Sequence, residues 1–179
     1  MRKVVLSMMV SVDGYIEAKD PNYNWHTWNE EMAAYMMGFF QTVDTFIYGR
    51  KAYEDMIAYW PPLNDEFAKV MNHTPKLVFS RTLETVTWNA TLVRENAAAA
   101  IRQEKAKAGK DLALFAGADI AGFFINHDLI DQYRLIINPV LLGEGKTLFK
   151  ERASMKDVTL RETVPFKCGN VLLIYEPEH

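Results

Sequence analysis

Short apolar runs recur along the chain, and several end in a turn signal that is followed by an amphipathic stretch. Residues 3–10, apolar apart from Lys3 and Ser7 and with β-branched Val4, Val5 and Val10, read as a core strand ending at the Asp13-Gly14 turn. Met32, Met36, Phe39, Phe40 and Val43 then fall at helical spacing behind Asn29, a residue suited to cap the helix. Thr45–Tyr48 predicts a second strand, and a helix bearing Tyr53, Met56, Ile57 and Trp60 follows Gly49 and stops at Pro61-Pro62.

A short helix is expected over residues 65–71 and strands at residues 77–79 and 91–93. The alanine-rich run 97–108 predicts a helix that finishes at Gly109, and residues 112–115 predict a fifth strand. Ile120, Phe123 and Phe124 then mark a helix that Asp119 is placed to cap. The last third is strand-rich, with runs at 133–137, 158–164 and 171–175 and a Gly143-Glu144-Gly145 turn between them. The order β-α-β-α-β-β-α-β-α followed only by strands predicts an α/β fold whose central sheet is mostly parallel, with an antiparallel end.

Four turn signals stand at the carboxyl ends of apolar runs: Ser11-Val12-Asp13-Gly14, Gly49-Arg50-Lys51, Ser80-Arg81 and Gly117-Ala118-Asp119. Ligands of open α/β sheets bind outside those ends, where helix N-termini point at phosphates, so the four signals predict one shared site and a dinucleotide in it. Gly49, Arg50 and Lys51 supply backbone N–H groups and two cations. Ser80 and Arg81 supply a hydroxyl and a guanidinium suited to a phosphate.

Composition narrows the classes. With 179 residues, 49% hydrophobic and 24% charged, the chain is expected to form a single domain over residues 1–179. A formal net charge of −3 argues against a broad nucleic-acid or anionic-membrane surface. Cys168 is the only cysteine, which excludes an intrachain disulfide and fits the cytoplasm. No apolar run approaches the ~20 residues that span a bilayer. His26, His73, His127 and His179 share no spacing, so no metal site is expected.

The segments Leu129–Leu135 and Pro139–Phe149, with the Ser-x-Asp-Gly loop, Gly49-Arg50-Lys51-Ala52-Tyr53 and Phe115-Ala116-Gly117-Ala118, resemble the dihydrofolate-reductase-like family that includes the reductase domain of bifunctional riboflavin-biosynthesis proteins. The resemblance spans essentially the whole chain. It implies a mixed eight-stranded sheet flanked by helices, NADPH as hydride donor to a small heterocyclic or carbonyl substrate, and a homodimer. It also implies that Ser80 and Arg81 read the 2′-phosphate and that Met9 and Ile16 lie near the nicotinamide. The backbone N–H groups of Gly117, Ala118, Asp119 and Ile120 are implied to lie near the pyrophosphate. Gln132 and Ala118 depart from the family's usual residues, which bears on substrate and subfamily.

Reduction of C=N or C=O needs a proton source beside the hydride acceptor, and the candidates are Asp13, Glu30 and Glu31. Asp13 serves equally to shape its loop. By the family's interval, Ala33 stands where dihydrofolate reductases carry their pterin-binding carboxylate, so Glu31 acts only if the helix brings it inward, and water is the other source. Tyr23, Trp25, Trp28 and Trp60 either wall a heteroaromatic substrate or fill the core. Two other functions stay open: a non-catalytic NADP(H)-binding sensor or scaffold, and a flavin-binding protein.

Overall fold

The structure, a computed structural model, describes residues 1–20, 22–115, 117–149 and 155–178. Strands β1 (Val4–Ser11) and β2 (Tyr15–Ala18) precede α1 (Glu30–Phe40), β3 (Val43–Gly49), α2 (Arg50–Tyr59) and α3 (Glu66–His73). Then come β4 (Lys76–Phe79), β5 (Ala90–Val93), α4 (Ala97–Ala106), β6 (Asp111–Leu114) and α5 (Ala118–Asn126). The chain closes with β7 (Gln132–Asn138), β8 (Gly145–Thr147), β9 (Val158–Pro165) and β10 (Val171–Pro177).

Eight strands form one sheet in the order β5-β4-β3-β6-β1-β7-β10-β9. From β5 to β7 every pairing is parallel, whereas β10 runs antiparallel to both β7 and β9. This is the mixed, mostly parallel sheet with an antiparallel end that the element order predicts.

Burial explains why the central strands read as predominantly apolar runs. Val4, Leu6, Ile47, Leu112 and Leu114 enter the layer shared with Ile101 of α4 and Phe124 of α5. Their neighbours Val5, Phe46, Tyr48 and Ala113 enter the opposite layer with Met32, Met36, Phe39 and Phe40 of α1. Strands buried on both faces have no polar positions to alternate with.

Two helices begin with the caps that polar side chains provide. Asn29 Oδ1 accepts from the Met32 N–H at 3.0 Å, and Asp65 Oδ1 from the Ala68 N–H at 2.9 Å. Each such cap stabilises its helix by about 1 kcal/mol. Asp119 does not cap α5, because Gly117 holds the cap position and Asp119 falls inside the first turn. Gly109 lies beyond the end of α4, which Lys107 terminates.

The pattern of apolar runs does not reveal β2 and β8, which pair antiparallel as a separate two-stranded sheet. Gly145 is needed there: its φ is +156°, and a Cβ would fall 2.1 Å from the Glu17 carbonyl oxygen. The loop of Asp13 therefore continues into a strand that is held by a segment more than a hundred residues away.

Candidate functional site

A cleft of about 1150 Å³ opens outside the carboxyl ends of β3, β4, β5 and β6. Gly49, Arg50 and Lys51 line it after β3, Ser80 and Arg81 after β4, and Gly117, Ala118, Asp119 and Ile120 after β6. Turns far apart in sequence meet here because parallel strands deliver all their carboxyl ends to one edge of the sheet.

The helix ends at this edge differ from those elsewhere. α2, α4 and α5 start at Gly49, Asn96 and Gly117, all of which line the cleft, and none receives a side-chain cap. α1 and α3, whose caps are not among the lining residues, are both capped by their own side chains. Three helix N-termini thus present backbone N–H groups and positive dipole ends to one volume.

Glycine has two distinct uses in this wall. A Cβ on Gly49 would meet Ile120 Cγ2 at 3.0 Å, so its absence lets the β3–α2 turn pack directly on α5. Gly117 has φ −66°, open to any residue, and a Cβ there would meet no protein atom within 4 Å. Neither strain nor packing calls for glycine at 117, and the missing side chain leaves room on the cleft side.

Six basic residues, Arg50, Lys51, Arg81, Arg94, Arg102 and Lys146, line the cleft with Glu17, Glu95 and Asp119. Glu17 accepts from Lys51 Nζ at 2.8 Å and from Lys146 Nζ at 2.6 Å. Burial pushes the Glu17 carboxyl up, but the bonds from Lys146 and Lys51 outweigh it and hold the group below the usual glutamate range. The same contact raises Lys146. Arg94 donates to the Glu84 carbonyl at 2.7 Å, and Arg50 lies 3.7 Å from Glu54. Ser80 Oγ accepts from the N–H groups of Thr82 at 3.2 Å and Leu83 at 3.1 Å, fixing the turn that carries Arg81.

Other expected site residues lie elsewhere. Met9 and Ile16 do not line the cleft; Ile16 is buried in the apolar layer with Ala118 and Leu148. Asp13 accepts from Ser11 Oγ at 2.6 Å, the Gly143 N–H at 2.7 Å and the Leu142 N–H at 3.1 Å. The Ser11 hydroxyl, with those two backbone groups, holds the Asp13 carboxyl below its ordinary value. Glu31 is exposed and accepts from the Lys167 N–H at 2.8 Å, so α1 does not turn it inward, and Glu30 is exposed beside it. Ala116 of the Phe115–Ala118 motif, and His179, lie outside the described residues.

The aromatic residues do not assemble into a single wall. Trp28 and Trp60 pack on Phe67, with ring centroids 6.0 and 5.4 Å away. Trp25 and His26 meet edge to face at 4.2 Å, and Trp25 Nε1 and His26 Nε2 are buried without a hydrogen-bond partner. Burial pushes His26 down to about 4. Burial, with the bond to Asp55, pushes Tyr23 up to about 12. Among the described residues, no group of three or more His, Cys, Asp or Glu side chains is placed to hold a metal ion, and no helix is long and apolar enough to cross a membrane.

Sequence reasoning missed Arg94, Arg102, Glu17 and Lys146 as site residues. Arg94 follows β5 as Arg81 follows β4, so the strand-to-turn signal was present there too. Glu17 and Lys146 carry no local signal, since their meeting depends on the β2–β8 pairing.

Comparison with known proteins identifies the family and the fold. The family model of the RibD C-terminal domain matches residues 2–174. The uncharacterized protein YyaP of Bacillus subtilis (strain 168) is 35% identical over 182 aligned residues, covering 97% of this chain and 94% of YyaP. A diaminohydroxyphosphoribosylaminopyrimidine deaminase/5-amino-6-(5-phosphoribosylamino)uracil reductase from Thermotoga maritima superposes with a TM-score of 0.71 at 12% identity, covering 99% of this chain and 57% of that one. Dihydrofolate reductase from Enterococcus faecalis, solved with NADP(H), gives a TM-score of 0.70 at 14% identity, covering 99% of this chain and 97% of that one. At such identities the two structures share a fold with this chain. With the family match over nearly its whole length, the chain belongs to the RibD C-terminal domain family and has a dihydrofolate-reductase-like fold.

Proposed function

We propose that this chain is an NADPH-dependent reductase that passes hydride to a small heterocyclic or carbonyl acceptor. The observation that carries the proposal is the convergence of three helix N-termini without side-chain caps on one basic cleft. A dinucleotide needs anion-binding N–H groups for its pyrophosphate and, when phosphorylated at the ribose, guanidinium groups for the additional phosphate. The space left at Gly117 fits a group that approaches the backbone closely, as a pyrophosphate does.

Bound NADPH supplies the hydride. In this reading the N–H groups at the starts of α2 and α5 hold the pyrophosphate, and Ser80 with Arg81 takes the 2′-phosphate. Arg102 and Arg94 add positive potential at that end of the cleft. Met9 and Ile16, by the family resemblance, are assigned to the nicotinamide end. Asp13 and Glu31 are each committed to backbone N–H groups, so the proton comes from water. The pyrimidine reductase and dihydrofolate reductase likenesses support the acceptor class.

The same commitment of both carboxylates favours a second reading, a non-catalytic NADP(H)-binding sensor. Two measurements separate the readings. Thermal-shift titration with NADPH, NADH and FMN reports binding, because a ligand of the native state stabilises it by RT ln(1 + [L]/Kd), about 2.7 kcal/mol at a hundredfold excess. Loss of reduced-nicotinamide absorbance with a panel of heterocyclic and carbonyl acceptors reports turnover. Selective stabilisation by NADPH with turnover supports the reductase. Binding without turnover on any acceptor supports the sensor, and no stabilisation by NADPH overturns both.

A further inference from the structure

Buried ring nitrogens without a partner mark the loop that leads into α1. Of the four tryptophans, Trp60 donates its Nε1–H to Met56 Sδ at 3.2 Å and Trp88 to Asn72 Oδ1 at 2.8 Å, while Trp28 is 46% exposed. His73 Nδ1 lies 2.8 Å from the Lys69 carbonyl and His127 Nδ1 2.8 Å from that of Phe123. Trp25 Nε1 and His26 Nε2 are buried with no such bond.

Asn170 belongs to the same place. It is fully buried, its Nδ2 donates to the Thr27 carbonyl at 2.7 Å, and its Oδ1 is left without a partner. Asn138, also fully buried, accepts on Oδ1 from the Thr27 N–H at 2.9 Å. Thr27 is thus clamped through both backbone groups. On the other side Tyr23 Oη donates to Asp55 of α2 at 3.0 Å, so the loop is tied before and after Trp25 and His26. Three of the five buried side-chain polar atoms that lack a partner among the described residues gather at this clamp. Each costs stability when left unmet, and their concentration at one place points to a ligand that meets them.

The position agrees with that role. Asn138 ends β7 beside Ser11, the last residue of β1, and β1 lies next to β6. The clamp therefore stands at the same edge of the sheet as the basic cleft, two strands or about 10 Å from β6.

We propose that Trp25, His26 and Asn170 form the acceptor subsite and that it takes an uncharged heterocycle carrying a carbonyl beside a ring N–H. The Trp25 N–H donates to the carbonyl, Asn170 Oδ1 accepts from the ring N–H, and His26 Nε2 takes either role according to its tautomer. No cation or carboxylate belongs to this set, so an ionised group would be desolvated here without a counter-charge. Burial holds His26 well below its ordinary value, and its ring is uncharged at neutral pH. Asp55 beside Tyr23 and Glu31 beside Lys167 add negative charge that opposes an anion. This inference deepens the reductase reading and rests on it for the bound heterocycle being the hydride acceptor.

Proton–nitrogen NMR of the full chain tests it, with the cyclic amide pyridone as probe and the same ring bearing a carboxylate as the charged counterpart. Trp25→Phe keeps an aromatic ring in place and identifies the Trp25 indole resonance by its loss. Pyridone at about 10 mM, tenfold above a millimolar Kd, is expected to shift that resonance and to leave those of Trp60 and Trp88 in place. The carboxylate is expected to bind at least tenfold more weakly. By saturation transfer, pyridone affinity falls about tenfold in Trp25→Phe and in His26→Phe, while NADPH still stabilises both variants. An unmoved Trp25 resonance in a chain that NADPH stabilises overturns the subsite and leaves the reductase reading standing. A shifted resonance in a chain that NADPH does not stabilise keeps a heterocycle site and removes the reductase reading. Undiminished pyridone affinity in Trp25→Phe, or tighter binding of the carboxylate, overturns the subsite.

Discussion

Gly49 and Ile120 pack closely: a Cβ on Gly49 would lie 3.0 Å from Ile120 Cγ2, tighter than ordinary van der Waals contact. This contact sets the spacing between the starts of α2 and α5, the two helix ends proposed to share the pyrophosphate. Gly49→Ala is therefore expected to destabilise the fold by about 1–3 kcal/mol through overpacking, since φ is −85° and adds no strain. Removing Cγ2 with Ile120→Ala should recover part of that cost in the double variant, as a chemical-denaturation cycle measures. Equal costs of Gly49→Ala in both backgrounds would rule the contact out as the cause.

Gly117 makes the complementary case. Its backbone conformation suits any residue and the Cβ position is open, so Gly117→Ala should cost no more than about 1 kcal/mol, the N-cap preference for glycine over alanine. The proposed pyrophosphate occupies that space, and NADPH affinity is expected to fall about tenfold or more. Calorimetric titration of the folded variant decides the matter: undiminished affinity would remove Gly117 from the cofactor site.

Glu17 tunes the charge of the cleft by holding Lys51 and Lys146 together. Both lysines are about half exposed, so Glu17→Gln should cost under ~1 kcal/mol of stability. Releasing the two ammonium groups towards the phosphates should tighten NADPH binding a few-fold at low salt, with a steeper loss as salt rises. Weaker binding at every ionic strength would show instead that the ion triad holds the β2–β8 sheet in a binding-competent position.

The parallel strands are legible in the chain because burial on both faces writes them as predominantly apolar runs, as in Val4–Val10 and Phe46–Tyr48. Their turn signals are legible for a related reason: glycine, serine and basic residues stand where a strand ends, and topology delivers those turns to one edge. What was not legible depends on distant partners. β8 carries no apolar residue and β2 is only four residues long, and they exist as a pair across residues 15–18 and 145–147. Asp13 and Glu31 look equally available in the sequence, yet each is engaged by backbone N–H groups from a loop more than a hundred residues away. Asp119 looks like a cap because its residue type is right, but Gly117 starts the helix two positions earlier.

His26 is expected to make the fold acid-sensitive in a defined window. Its ring is packed against Trp25 and its Nε2 is buried without a partner, so burial lowers its pKa from 6.5 to about 4. Between those values the unfolded chain binds a proton that the folded chain does not, and stability therefore falls as pH drops from about 6.5 towards 4. Above about pH 6.5 the contribution is fully present. The linkage amounts to about 2 kcal/mol between roughly pH 7 and pH 5, where ordinary carboxylates are still largely ionised. Urea denaturation of the wild type across this range should show that loss, and His26→Gln, which cannot titrate, should flatten it. An unchanged slope in the variant would mean that some other group takes up the proton.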